Sequence, residues 1–91
     1  MIKVFFIAKI KNFTEEYYDY SKRVREKAET MPGFINIISE EKDDVEITIS
    51  SWKTKEDVEA WRKDPLHMEA KAKAKEWYHW VKGIHVEAVD E

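Results

Sequence analysis

A chain of 91 residues allows one domain, expected over 1–91, and its 16 basic and 19 acidic side chains are too evenly mixed to leave the basic footprint that a nucleic-acid backbone requires. The absence of cysteine excludes disulfides, thiolate nucleophiles and thiolate metal sites. The longest apolar run is far short of the ~20 residues of a membrane span, and no signal peptide follows Met1, so a soluble, cytoplasmic protein is expected. The absence of glutamine and a charged fraction of 38% form a bias of proteins from hot environments, which concerns source rather than activity. A chain this small buries only about 60 to 65% of its unfolded surface, so a partner subunit would help it.

Ile2 to Ile10 reads as a strand, and its middle, Val4 to Ala8, is apolar at both parities, which demands cover on both faces. Asn12 to about Thr30 reads as a helix, with Asn12 as N-cap, Glu15 at the capping-box position, and Phe13, Tyr17, Tyr20, Val24, Ala28 and Met31 on one face. Met31-Pro32-Gly33 breaks it. Phe34 to about Glu41 is a second strand, Lys42-Asp43-Asp44 an acidic turn, and Val45 to about Trp52 a third strand. In the third strand Val45, Ile47 and Ile49 alternate with Glu46, Thr48 and Ser50, so the second set is expected on a wet or polar face.

The stretch from Trp52 to Trp80 carries all four tryptophans. Thr54 caps a helix expected to stop near Lys63, with Val58 and Trp61 as its apolar pair. Asp64-Pro65 starts another, since Asp favours the cap and Pro the first helical position, and this one is expected to reach about Trp80. Leu66, Ala70, Ala74, Trp77 and Val81 share one stripe, with His67 at its edge. Lys71, Lys73 and Lys75 cannot share a stripe and read as solvated surface. Gly83 reads as a breaker, and Ile84 to Val89 as the last strand, with His85 and Glu87 on one side and Ile84, Val86 and Ala88 on the other.

That order, strand, helix, strand, strand, helix pair, strand, predicts an α+β fold of the ferredoxin-like split βαβ kind: a four-stranded antiparallel sheet with helices on one face. The first and second strands, apolar on both sides, then require a second copy of the sheet, hence a homodimer through the sheet face. His67, His79 and His85 lack the short spacing of a metal site, no serine stands in a recognisable acid–base setting, and two glycines make no phosphate-cradling loop. No metal or nucleotide cofactor is expected.

Met31-Pro32-Gly33-Phe34, the hairpin, Ser51-Trp52, Trp61, Asp64-Pro65, His67 and the run to Trp77 together resemble the antibiotic biosynthesis monooxygenase family of small dimeric α/β-barrel proteins, over Ile2 to about Val89. The resemblance implies two sheets packed into a barrel, with a small-molecule cavity between sheet and helices in each subunit. Some relatives oxygenate phenolic or quinol-like substrates without metal or flavin, some degrade haem, and many have no known activity. The haem-degrading branch uses a helical histidine, a first-strand asparagine and a tryptophan. Trp61 matches the last, but Lys71 stands at the histidine and Ile7-Ala8 at the asparagine, so haem is not expected.

For the cofactor-free branch the resemblance implies a base that takes a proton from an activated phenol, in a pocket that tolerates an aromatic ring and excludes water. His67 is the candidate base, its ordinary pKa suiting the task, and Trp61 the candidate catalytic partner that positions the ring. Trp52, Phe6, Phe34 and Trp77 are the candidate substrate-binding walls. His85 is expected at the cavity or the dimer seam, and His79 at the surface. The alternative is a non-catalytic dimeric small-molecule-binding or regulatory module of the same fold. A closed cavity beside Trp61, reached by the His67 imidazole, favours the enzyme, and large side chains filling that space decide for the module.

Overall fold

The computed structural model describes residues 1–87. Its elements run β1 (Ile2–Ile10), α1 (Glu15–Thr30), β2 (Phe34–Lys42), β3 (Val45–Trp52), α2 (Lys55–Arg62), α3 (Pro65–Trp77) and β4 (Tyr78–Glu87). The sheet order is β2-β3-β1-β4, every neighbour antiparallel, which is the ferredoxin-like α+β arrangement. Among the described residues no helix is long and apolar enough to cross a membrane.

Three boundaries differ from expectation. The cap of α1 is Thr14, whose side chain accepts the Tyr17 amide at 3.1 Å. Asn12 instead donates its side-chain amide to the Glu76 carbonyl at 2.6 Å, while the Lys11 and Asn12 amides both reach the Trp77 carbonyl. Those bonds tie the end of β1 to the end of α3 and leave capping to the next hydroxyl along. The second correction is at α3, which stops at Trp77. Tyr78, Trp80 and Val81 are β-favouring residues, and pairing with Ile10, Lys9 and Ala8 recruits them to β4. Val81 is therefore on a strand, not in the helical stripe. Third, Gly83 breaks nothing: it lies inside β4, opposite Phe6. Of the expected last strand, Ala88 and Val89 lie outside the described residues.

The parity of β3 is inverted relative to expectation. Ile2, Ala8 and Ile10 of β1 lie in the core beneath the helices, and register places Trp52 beside Ile2, Ser50 beside Val4, Thr48 beside Phe6 and Glu46 beside Ala8. Directly opposed residues share a face, so the polar set is the covered one. Its groups find partners there. The Glu46 carboxylate accepts the Tyr17 hydroxyl at 2.5 Å and the Tyr78 hydroxyl at 2.9 Å on one oxygen, and the Thr48 hydroxyl at 2.9 Å on the other. Ser50 accepts the Trp52 indole N–H at 2.9 Å.

The apolar set of β3 consequently lies on the helix-free face, in register with Phe5 and Ile7 of β1, Ile38 of β2 and Ile84 of β4. Ile38 and Ile47 there are 56% and 42% exposed. The covered side holds two clusters. Ala8, Ile10, Tyr17, Tyr20, Trp77 and Tyr78 form one, and Ile2, Ala28, Trp52, Val58 and Trp61 the other.

Candidate functional site

The junction of α2 and α3 is built by two caps. Thr54 accepts the Asp57 amide at 3.2 Å and donates its hydroxyl to the Asp57 carboxylate at 2.9 Å, which starts α2 and turns Val58 and Trp61 inward. Asp64 then accepts the Leu66 and His67 amides at 3.0 and 3.3 Å, satisfying donors that the first turn of α3 would otherwise leave open. Lys27 of α1 approaches the other Asp64 oxygen at 3.8 Å. With only Arg62 to Leu66 between them, Trp61 and His67 bring their rings to 4.7 Å.

Four of the six residues singled out from sequence form one row. Phe34 meets Trp52 edge-on at 5.6 Å, Trp52 stacks on Trp61 at 5.8 Å with 25° between planes, and His67 caps the Trp61 end. Phe6 and Trp77 are elsewhere, the first against Tyr78 at 5.6 Å and the second between Tyr17 and Tyr20 at 6.0 and 5.3 Å. The space under α2 where a cavity was expected is occupied by the indoles of Trp52 and Trp61, both buried.

His67 Nδ1 is buried with no hydrogen-bond partner. Burial lowers the pKa of this imidazole from its ordinary 6.5, Lys71 lowers it further, and the Arg62 backbone and the Asp64 carboxylate oppose them. The ring is thus a neutral base at neutral pH. The unfolded chain takes up a proton as pH falls through 6.5 while the folded one resists, so this contribution to stability is complete above 6.5 and is lost below it. Replacing His67 by Asn should flatten the decline of the urea midpoint just below pH 6.5; an unchanged slope would show that the imidazole ionises freely in the fold.

Open space lies beside the indole row. A groove of about 330 Å3 runs between α2 and β4, with Ile2 and Val58 as its apolar floor and Lys55, Glu59, His85 and Glu87 at its rim. His85 is opposite Val4 and Glu87 opposite Ile2, which puts both on the helix side of the sheet. Alternation in the sequence grouped His85 with Glu87 but could not say which side they took. His67 does not line this groove; its ring contact is with Trp61. Arg25 of α1 reaches the Ile37 carbonyl at 3.1 Å, so α1 covers the β2 half of the sheet. Lys73, paired with Glu16 at 3.5 Å, faces α1; at about 100° per residue, Ala74 and His67 lie roughly 100° and 120° around the helix from it, and Ala74 packs on the core cluster of Tyr17, Tyr20 and Trp77.

Sequence reasoning missed the Glu46 cluster altogether. Burial first, and then the hydrogen bond and charge of Glu46, push the pKa values of Tyr17 and Tyr78 far above the ordinary phenol range, so both remain donors. Among the described residues, no three His, Asp or Glu side chains gather in a way that could hold a metal ion.

The sheet order and the helix pair place the chain in the class of ferredoxin-like α+β proteins. No family model matches the sequence, and no curated protein matches it. Solved structures do match. A Nitrosomonas europaea protein provisionally named an antibiotic biosynthesis monooxygenase superposes with a TM-score of 0.84 at 18% identity, covering 99% of this chain and 100% of its own. SnoaB of Streptomyces nogalater, described as a cofactor-independent oxygenase, gives 0.83 at 12% over 99% and 94%. Rv0793 of Mycobacterium tuberculosis gives 0.86 at 11% over 99% and 96%. The fold is that of the antibiotic biosynthesis monooxygenases.

Proposed function

We propose that the protein is a cofactor-independent monooxygenase of a small phenolic or quinol-like aromatic, working as a homodimer. The observation that carries this reading is the His67 imidazole: held neutral, with a buried Nδ1 that has no hydrogen-bond partner, and seated against the Trp61 ring. A phenol that reaches this ring gives its proton to the imidazole. The phenolate then supplies electrons to dioxygen, a carbon–oxygen bond forms at the activated ring carbon, and collapse of the peroxide leaves one oxygen on the substrate and releases the other as water. The substrate itself is the reductant, so no flavin or metal is required. Trp61 orients the ring and, with Trp52 and Phe34 behind it, keeps water from the anion. The cofactor-independent chemistry named for SnoaB on the same fold supports this reading.

A second copy of the chain is the partner that fits the helix-free face, whose exposed Ile38, Ile47, Trp80, Ile84 and Val86 span three strands. Light scattering should report about twice 10.9 kDa, and Ile47→Glu should return the chain to the single mass. A wild-type particle of single mass at micromolar concentration would remove the dimer.

One observation favours the other reading, a binding or regulatory module without chemistry: the indoles of Trp52 and Trp61 occupy the expected cavity. Oxygen uptake decides between them. With a panel of quinols in air, the wild type should consume oxygen above buffer, and His67→Ala should lose about 100-fold or more of that rate, the usual worth of a general base. No uptake across the panel would leave the module.

A further inference from the structure

Gly83 stands where nothing local calls for glycine. Of the chain's two glycines only Gly33 has a positive φ, so the backbone at Gly83 is open to any residue. A Cβ added at Gly83 would meet nothing within 4 Å, so close packing does not exclude a side chain either. Glycine also weakens a strand interior, because it costs backbone entropy and packs nothing. What it does supply is a gap. Its cross-strand partner is Phe6, a partly buried ring that shares its face of the sheet. Two residues further along that face is His85, at the rim of the groove floored by Ile2 and Val58.

We infer that Gly83 is the specificity-determining position of this site: its missing side chain extends the groove past His85 over the Phe6 ring, and so sets how long an aromatic substrate the protein admits. The inference rests on the reading of the groove as the approach to His67. From Glu87 to Gly83 the strip is about 13 Å long at the usual rise of a strand, and bare backbone at its inner end allows a planar ring to lie close above the sheet. A branched side chain at position 83 would stand in that space and shorten the strip to the stretch between Glu87 and His85. Ring systems that stop at His85 would be unaffected.

The test is calorimetric titration, without oxygen, of phenol, naphthol and anthrol into the wild type, Gly83→Ala and Gly83→Leu, with oxygen uptake measured separately. The melting temperature should hold or rise in both variants. Gly83→Leu should bind the longer rings about 10- to 100-fold more weakly, with phenol unchanged within twofold and Gly83→Ala intermediate. Equal affinity of Gly83→Leu and wild type for all three rings, or no binding of any ring by the wild type, would overturn the inference. Length-dependent binding without oxygen uptake would retain the role of Gly83 and overturn only the oxygenase.

Discussion

Trp52→Ala is expected to cost about 3 to 5 kcal/mol, the usual range for removing a large aromatic from a core. The indole is fully buried between Phe34 and Trp61, and its N–H is the donor to the buried Ser50 hydroxyl. Truncation therefore empties an indole-sized volume and strips a buried oxygen of its partner. A domain of 91 residues holds roughly 5 to 14 kcal/mol in total at about 0.05 to 0.15 kcal/mol per residue, so the loss is a large share. It also removes the surface on which Trp61 rests, and through Trp61 the seat of His67. Urea unfolding measures the cost, and the acid-side slope assigned to His67 should shrink in the same variant. A loss below about 1 kcal/mol would mean that the row collapses onto the gap and that the stack is not a rigid support.

The second large effect is expected at Gly33. Its φ of +79° is left-handed, and an added Cβ would overlap the Asp57 carboxylate and lie 2.7 Å from the Asp57 Cβ. Gly33→Ala therefore combines a disfavoured backbone with a steric conflict, together about 2 to 5 kcal/mol. The conflict falls on the residue that closes the cap of α2 with Thr54, while the Gly33 carbonyl holds the Lys53 amide at 2.9 Å. Displacing Asp57 should thus loosen the start of α2 as well as strain the turn. In an Asp57→Gly background the added cost of Gly33→Ala should fall by about 1 kcal/mol or more, a coupling that a double-mutant cycle of urea midpoints reads directly. Additive costs would place the strain wholly in the backbone.

Much of the architecture was legible because local signals agreed. Thr54 and Asp64-Pro65 fixed the starts of α2 and α3, and Gly33 fixed the turn into β2. The end of α3 was not legible, because Tyr78 to Val81 carries an apolar residue at both helical and strand spacing and only pairing with β1 settles it. The covered face of β3 was misjudged for a similar reason. Alternation separates Glu46, Thr48 and Ser50 from their neighbours, but which set is buried depends on Tyr17 and Tyr78, 29 and 32 residues away from Glu46. At the candidate site, Trp61 and His67 were placed together by short-range capping. Tertiary packing sent Trp77 to the other cluster, and Phe6 packs against that cluster while lying opposite Gly83 on the sheet. Gly83 was read by its breaking tendency, when its meaning is the space it leaves.

The order β2-β3-β1-β4 puts the segment made first between the two made later, with Ile2 paired to Trp52 on one side and to Glu87 on the other. During synthesis, then, β1 emerges from the ribosome with both edges unpaired and cannot complete its ladders until residues 78–87 have cleared the exit tunnel. Such long-range pairing slows folding and leaves an apolar ribbon open to chaperones in the interval.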